Sequence, residues 1–400
     1  MGQENSTNIL NHSKPFDSFI YSPVPGSHNQ FNYSYGQKTY NYDQYLSDKK
    51  VNVLQKKAAY NGIWNMQYPE SLCPEPRIGQ IFAYDSEKDR LIIAYGSNKS
   101  NKMLQDMWSL KSSETPYKWE LISFTLNEPR RYASCTLIDR ELFVFGGESV
   151  SSEGIIIYYN DLHSINIDSG KITQYNTNGA IPSPRISPIM HYFDNQIVIW
   201  SGFDGRIHNG IHLLNLETMT WKRMDEEQTG ISSPCGCKFN NDYYVYGGPS
   251  GSNLSIFQPT DNIFNYIKTR GIDPPSNLSN ACLVPADEYL FLIGGENSHE
   301  FMYIYGYDTT RKWWFAFHIK PDNITLTEAD GIVNKIGIFM IPREHSAAVV
   351  YSPKCRELVS VMGSRFLDPA PVFKISIGEA LASMHLRSDM LEMLDFNNFK

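Results

Sequence analysis

Six copies of a short segment that joins strand-forming residues to a terminal glycine limit what this chain can fold into. The final glycines of neighbouring copies lie 46 to 68 residues apart. A period of roughly 50 residues made of short strands is typical of β-propellers, in which each repeat forms one blade. The copies are RLIIAYGS (90–97), RELFVFGG (140–147), NQIVIWSG (195–202), DYYVYGGP (242–249), YLFLIGGE (289–296) and ELVSVMGS (357–364).

Each copy belongs to a longer unit whose parts follow the same order. A turn with Pro and Arg comes first, then an apolar strand, a polar turn, the glycine-terminated strand, a third strand and a strand with an aromatic residue. The clearest Pro-Arg turns are PEPRIG (74–79), EPRRYAS (128–134), PSPRIS (182–187) and IPREHS (341–346). The aromatic residues of the fourth strands are predicted to be Trp119, Tyr175, Trp221, Phe264 and Trp313.

The glycines and aromatics of the repeat have structural roles in this interpretation. Glycine allows backbone to approach backbone or to take φ values that a side chain forbids. One aromatic in each unit fills the widening space between neighbouring radial sheets. The predicted structural residues are Gly96, Gly146, Gly147, Gly202, Gly247, Gly248, Gly294, Gly295, Gly363, Trp64, Trp119, Trp221 and Trp313.

The number of fourth strands predicts how the ring closes. The sixth unit, from about 342 to 377, has three strands and no aromatic fourth strand. Trp64 lies in YNGIWNMQY (60–68), which reads as a fourth strand without the three that precede it elsewhere. We therefore predict that this N-terminal strand completes the last blade, so that no open sheet edge remains.

The double glycines, the Pro-Arg turns and the spaced aromatics together resemble the kelch-repeat family over about residues 60–377. The resemblance implies an all-β fold, a six-bladed kelch-type β-propeller closed by an N-terminal strand. Units one, three and six depart from it, because Tyr95, Ser201 and Met362 replace the first glycine. It also implies adaptor, cytoskeletal or ubiquitin-ligase-linked roles, although one fold hosts many functions.

Three segments are predicted from composition. Residues 1–50 are a disordered polar tail, 51–377 form the propeller, and 378–400 form a short C-terminal helix and tail that begins with a Ser376-x-x-Glu379 capping box. The stripe Leu381, Met384, Leu391 and Leu394 would dock this helix on the ring or on a partner. Two insertions, 148–159 and 318–340, are binding loops or tolerated loops, and the second could contribute to a seventh blade.

Charge and cysteine usage restrict the partners. A net charge of −8 gives no general nucleic-acid surface, and the six cysteines show neither a zinc pattern nor a secreted disulfide pattern. We expect no cofactor and no metal, and the spacing of His208 and His212 does not suggest a metal site. Without a signal peptide or a membrane span, the protein is expected in the cytoplasm. MGQENS matches a myristoylation motif at Gly2, which would add weak membrane anchoring.

The arginines of the Pro-Arg turns are the main candidates for binding. Repetition places them on one face near the axis, where they either grip acidic groups of a partner or tie loops to carbonyls between blades. The residues assigned to partner binding are Arg77, Arg131, Arg185 and Arg343. The acidic turns around Asp85 and Asp225 read as solvated surface. The predicted function is a non-enzymatic protein-interaction scaffold; the alternative is an enzyme with its site in the mouth of the central channel.

Overall fold

The structure is a computed structural model in which most of the propeller is described. The residues it describes are 32–35, 38–41, 62–70, 72–224, 228–231, 233–247, 254–258, 262–275, 278–296, 304–317, 319–321, 345–378, 380–382 and 384–385.

The described residues form six antiparallel sheets, which are the blades of a β-propeller. In every blade the first strand lies at the centre of the ring, and the first strands of neighbouring blades contact each other around the axis. Strands are numbered along the chain. The first two blades consist of β4 (Ile81–Asp85), β5 (Arg90–Ala94), β6 (Met107–Lys111) and β7 (Trp119–Ser123), and of β8 (Ser134–Ile138), β9 (Glu141–Phe145), β12 (Leu162–Asn166) and β13 (Ile172–Tyr175).

The next three blades repeat this order. Blade 3 consists of β15 (Ile189–Phe193), β16 (Gln196–Trp200), β17 (Ile211–Asn215) and β18 (Thr220–Arg223). Blade 4 consists of β19 (Cys235–Phe239), β20 (Asp242–Tyr246), β21 (Leu254–Gln258) and β22 (Ile263–Tyr266). Blade 5 consists of β24 (Ser279–Ala286), β25 (Tyr289–Glu296), β26 (Ile304–Asp308) and β27 (Trp313–Phe317).

Blade 6 confirms the predicted closure, because its outer strand comes from the start of the chain. It consists of β29 (Ala348–Ser352), β30 (Glu357–Val361), β31 (Val372–Ser376) and the N-terminal β3 (Gly62–Gln67). Trp64 of β3 pairs with Ile375, and Val359 pairs with Lys374 on the other side of β31. The first and last strands of the ring therefore lie in one sheet, and blade 6 has four strands like the other blades.

Short parallel strands cover the outer edges of three blades. On its way inward, the chain that leaves one blade first runs along the outermost strand of the next blade. These edge strands are β14 (Asn178–Gly179) on β18, β23 (Arg270–Gly271) on β27, and β28 (Ile319–Pro321) on β3. They satisfy backbone groups that an exposed outer strand would present for aggregation.

The hydrophobic core consists of separate clusters that lie mostly between neighbouring blades. Leu91 of blade 1 packs in one cluster with Val359 of blade 6, and Trp200 of blade 3 stacks on Phe264 of blade 4 at 4.3 Å between ring centroids. Alternation along each strand supplies these clusters, because successive side chains point to opposite faces of a sheet.

The register corrects two of the predicted aromatic positions. Trp119, Trp221 and Phe264 face the equivalent residue of the third strand, as Trp64 does in blade 6. In blade 5 this position belongs to the fully buried Trp314, whereas Trp313 is only half-buried. In blade 2 it belongs to Ile172, and Tyr175 lies three residues further on. A shift of one residue along a strand moves a side chain to the other face, which spacing alone does not resolve.

Two elements lie outside the blades. Strands β1 (Asn32–Tyr35) and β2 (Lys38–Asn41) pair as an antiparallel hairpin within the segment predicted to be a tail. At the other end, residues 378–385 are helical where they are described, and Leu381 and Met384 are buried in the cluster between blades 5 and 6. This helix therefore docks on its own ring. The boundaries of the three predicted segments stay a prediction, and Leu391 and Leu394 lie outside the described residues.

Candidate interaction surface

The propeller has two faces that differ in which strand connections they carry. In a four-stranded meander, the connections between strands one and two and between three and four lie at one end. Those between strands two and three, and from strand four to the next blade, lie at the other end. The upper face is the end that carries the connections between strands two and three and from strand four to the next blade. The lower face is the opposite end. The described Pro-Arg turns, the described glycine ends and the 148–159 insertion belong to the upper face.

Large apolar side chains are exposed almost entirely on the upper face. Among the described residues, ten large hydrophobic side chains are exposed, and nine of them lie in upper-face connections. Tyr266, on the outermost strand of blade 4, is the tenth. The nine are Tyr68, Leu72, Phe124, Ile155, Ile156, Ile157, Ile181, Phe203 and Ile207. Exposed apolar patches of this kind mark interaction sites more often than scattered single residues do.

The insertion in blade 2 forms a hairpin that carries three of these residues. Strands β10 (Glu148–Val150) and β11 (Ile156–Tyr158) pair antiparallel, with Ile155, Ile156 and Ile157 at 58%, 49% and 43% exposure. Its base is fixed on the ring, because Glu148 is buried and accepts a hydrogen bond from Arg131 Nε at 2.9 Å. The hairpin thus has an exposed apolar tip on a base that is anchored to the ring.

The hairpin lies beside the exposed residues of blade 3. The Tyr159 carbonyl, at the hairpin base, accepts a hydrogen bond from the Arg185 backbone N–H at 3.0 Å. Burial raises the pKa of Tyr158, and the nearby carboxylates of Glu148 and Asp204 raise it further. Asp204 adjoins Phe203, whose backbone pairs with that of Ile207. These contacts bring the apolar residues of blades 2 and 3 into one region of the upper face.

The repeated arginines hold the upper face together. Arg77 donates to the Tyr95 carbonyl at 3.0 Å, Arg130 to the Gly146 carbonyl at 3.0 Å, and Arg185 to the Ser201 carbonyl at 2.9 Å. All three side chains are almost fully buried. Each of these carbonyls belongs to the residue just before the final glycine of the repeat. Each arginine therefore ties its own turn to the end of the second strand.

The second glycine is needed because the arginine turn crosses it. A Cβ at Gly96 would lie 2.8 Å from the Ile78 carbonyl oxygen, and one at Gly202 would lie 2.9 Å from that of Ile186. Both glycines have φ near +97°, where side chains are strained. The Gly363 N–H also donates to the Arg77 carbonyl at 3.1 Å, which links blade 6 to blade 1.

The four arginines assigned to partner binding are therefore placed differently. Arg77 and Arg185 point inward and are saturated by acceptors of their own chain. Arg131 keeps part of its side chain exposed and also contacts Asn101 Oδ1 at 3.0 Å. Arg343 lies outside the described residues, as do Gly2, Gly248, the Asp225 turn and the segment 322–344.

A buried polar chain that the sequence did not indicate joins blades 1 and 2. Tyr95 Oη lies 3.0 Å from His163 Nε2, and His163 Nδ1 lies 3.3 Å from Asp161. Burial lowers the pKa of His163, against the raising effect of Asp161. Arg130 binds both oxygens of Asp161, at 2.6 and 3.1 Å. Tyr95 and His163 are fully buried and Asp161 is partly exposed, so the chain links the two blades through the interior.

The lower face carries a charge network, where a solvated acidic turn was predicted. That prediction is wrong for Asp85, which is 2% exposed, and for Asp89, which is 1% exposed. Arg90 donates to Asp85 at 2.9 Å within blade 1, and Arg140 of blade 2 binds both Asp85 oxygens at 2.9 and 3.0 Å. Burial alone would raise the pKa of Asp85, but these hydrogen bonds outweigh it and lower the pKa.

The central channel contains a cavity of about 380 Å³ lined by the innermost strands. Four of the six free cysteines line it, together with Tyr84, Tyr243 and Tyr351. Burial raises the pKa of Cys135 and of Cys282 to about 12, so both thiols are protonated at neutral pH. Across the described ranges, no three His, Cys, Asp or Glu side chains come together as a metal ion would require.

Membrane association was also predicted, on the condition that Gly2 is acylated. None of the helical residues in the described part of the chain forms a segment with the length and hydropathy of a membrane span.

Relatives were identified by comparison with known proteins. The chain is 27% identical over 227 residues to a Drosophila melanogaster leucine-zipper-like transcriptional regulator 1 homolog, covering 52% of this chain and 23% of that protein. It is 22% identical over 269 residues to N-acetylneuraminate epimerase 1 of Escherichia coli O6:H1, covering 66% of this chain and 64% of the epimerase. The chain thus spans less than two thirds of each.

The solved structure of YjhT shares the fold, with a TM-score of 0.53 at 14% identity, over 73% of this chain and 92% of that one. The model of the KLHDC2/KLHL20/DRC7 Kelch-repeats domain matches residues 33–248, which is more than half of the chain. Together with the six blades, this match shows that the chain belongs to the KLHDC2/KLHL20/DRC7 kelch-repeat family.

Proposed function

We propose that this protein is a non-enzymatic interaction scaffold that binds a protein partner on the upper face of blades 1 to 3. The observation that carries the proposal is the placement of nine exposed apolar side chains on that face. A protruding hairpin with a buried, charge-anchored base supports it further, because a rigid apolar anchor loses little conformational entropy on binding. Arg131, at the foot of the hairpin, would supply a polar contact at the rim of this surface.

A hairpin variant tests the proposal directly. Ile155→Asp combined with Ile157→Asp places charge on exposed positions and leaves the base of the hairpin intact. The matched control is Tyr266→Asp, which charges an exposed apolar residue on the outermost strand of blade 4, away from blades 1 to 3. Affinity purification with mass spectrometry from the native cell should recover the same partner with wild type and control and lose it with the hairpin variant. Recovery of the same partner by all three proteins, each with an unchanged melting temperature, would refute the proposal.

An enzyme remains the second candidate, because the chain is similar to N-acetylneuraminate epimerase 1 over 269 residues. The chemistry of the channel supports it poorly. Burial raises the pKa of Tyr84, Tyr243 and Tyr351 as well as those of the channel thiols, so these groups are neutral and weak as bases at pH 7. Proton NMR of N-acetylneuraminate would reveal epimerisation accelerated by the protein, and such acceleration would favour the enzyme.

A further inference from the structure

The hairpin of blade 2 has one open edge. The Ser151 N–H donates to the Ile155 carbonyl at 2.9 Å, which fixes the hydrogen-bonding register of the two strands. Along an antiparallel pair, backbone groups alternate between facing the paired strand and facing away from it. The N–H and C=O groups of Ile156 and Tyr158 therefore point away from β10. Among the described residues these groups have no hydrogen-bond partner.

Other edges of this protein are covered, but the edge of β11 is not. On the opposite side of the hairpin, Glu148 of β10 exchanges two backbone hydrogen bonds with Arg131, both at 2.9 Å. Short parallel strands cover the outer edges of blades 3, 5 and 6. The sequence around β11, GIIIYYN (154–160), contains no charged residue and no proline. Charges, prolines and covering segments are the usual means that prevent an edge strand from pairing with another chain. The β11 edge is therefore open to an added strand.

This edge is complementary to a second copy of itself. In an antiparallel pair of two β11 strands about a twofold axis at Ile157, the outward groups of Ile156 face those of Tyr158 in the other copy. Every unused N–H then meets an unused C=O. The two Ile157 side chains become direct cross-strand neighbours, and apolar pairs of this kind stabilise a sheet. No like charges face each other across the pair, because residues 154–160 are uncharged.

Opposite charges flank the edge. Glu153, at the hairpin tip, is exposed, and its carboxylate makes no ion pair within the described ranges. The side chain of Arg206 in blade 3 is 80% exposed, and its Nε lies 4.0 Å from Asp204, to which His208 Nε2 is bound at 2.9 Å. Blade 3 lies on the β11 side of the hairpin, as the hydrogen bond at the hairpin base shows. Antiparallel pairing lays each tip beside the base of the other hairpin, so Glu153 of one copy approaches Arg206 of the other.

We propose that two copies of this chain associate by pairing their β11 strands edge to edge across a twofold axis. This inference goes beyond the proposed function, because a second copy and a protein partner would share the exposed isoleucines of the hairpin. Each copy contributes a strand of three residues, so the interface is small and the dimer is transient. The matched backbone groups set its register, and the pairing of Glu153 with Arg206 sets its direction.

Sedimentation velocity of the full-length protein, from micromolar to near-millimolar concentration, tests for self-association. We expect a reversible equilibrium between monomer and dimer. Ile156→Pro removes an outward N–H that the hairpin does not use, and edge strands tolerate proline at such positions. It should weaken the dimer at least tenfold. Ile156→Ala, the matched control, keeps the N–H and shortens the apolar side chain, and it should weaken the dimer less than threefold. Equal losses in the two variants, or a monomeric wild type at every concentration, would overturn the proposal.

A charge exchange tests the arrangement without altering the backbone. Glu153→Arg and Arg206→Glu should each weaken the dimer at least threefold, and the double variant should return to within twofold of wild type. A double variant as weak as the single variants would exclude the antiparallel geometry and with it the proposal.

Partner recovery gives a separate readout for the same edge. A wild type that stays monomeric, together with loss of the protein partner in Ile156→Pro, would assign the edge to a strand of that partner and reject the second copy. A proline-sensitive dimer that forms although no partner is recovered would support the pairing of two copies while the proposed function fails.

Discussion

Replacing Trp64 by alanine tests the closure of the ring. Trp64 is fully buried in the cluster that joins blades 5 and 6, and its strand is the only contribution of the N-terminal segment to blade 6 among the described residues. A buried tryptophan removes about 200 Å² from water, worth about 5 kcal/mol at about 25 cal/mol per Å². Large-to-small substitutions in cores cost about 3–5 kcal/mol, so we expect a loss of about 4 kcal/mol.

The assay is thermal unfolding followed by circular dichroism, with the half-buried Trp313→Ala of blade 5 as the matched control. With an unfolding entropy of about 2.1 cal/mol/K for each residue, a loss of about 4 kcal/mol lowers the melting temperature of a ring of this size by about 5–7 °C. The whole transition should move, because β3 holds the first and last blades together. A Trp64→Ala protein that melts within 1 °C of wild type, or no lower than Trp313→Ala, would refute the reasoning.

Three other predictions concern the lower face, the C-terminal helix and the channel thiols. The pKa of Asp85 is lower in the folded state, so its contribution is complete above the unfolded value of about 3.9 and is lost as pH falls through the folded value. Wild type should therefore lose more melting temperature between pH 5 and pH 2 than Asp85→Asn. Gly306→Ala drives a Cβ to 2.5 Å from a phenylalanine ring and 2.6 Å from a methionine sulfur, and should cost about 1–3 kcal/mol in urea unfolding. Gly378→Ala meets no atom within 4 Å and should cost less than about 0.5 kcal/mol. Since burial raises the pKa of Cys135 and of Cys282 to about 12, iodoacetamide at pH 8 should label them in urea but not in the native protein, as read by mass spectrometry.

Each of these has a clear contrary result. Parallel pH profiles for wild type and Asp85→Asn would show that the Asp85 network contributes no pH-dependent stability. Equal costs for the two glycine substitutions would show that the helix does not pack where Met384 lies. Labelling of the channel cysteines at equal rates in native and unfolded protein would contradict their enclosure.

The ring and its closure were accessible from the sequence because they depend on repetition. A strand that ends in glycine recurs six times, and counting fourth strands was enough to assign Trp64 to the last blade. The repeat does not predict which face of a sheet each side chain points to. Trp313 and Trp314 are neighbours that point to opposite faces, and only the pairing of Trp314 with Tyr307 decides which one is buried.

The candidate site was predictable only in part. The insertion in blade 2 was recognised by its length, and it became the exposed hairpin. The direction of Arg77 and Arg185 was not predictable, because their acceptors are backbone carbonyls that only the folded ring brings near. A signal for the carboxylate partners of Arg77 and Arg130 was nevertheless present, since Asp106 and Asp161 each directly precede the third strand of their blade. That these aspartates bind the arginines could be established only from the coordinates.

The way the ring closes has a consequence for its biosynthesis. Gln67 ends β3 and Val372 begins the strand it pairs with, so the partners are more than 300 residues apart in the chain. At about 5–20 residues per second, the ribosome makes the partner strand about 15–60 seconds after β3 has been translated. During that interval β3, which carries Trp64, lacks the antiparallel partner that places it in blade 6. An edge strand that waits for its partner is open to wrong pairing, so the ring can close correctly only if β3 stays available until β31 has been made.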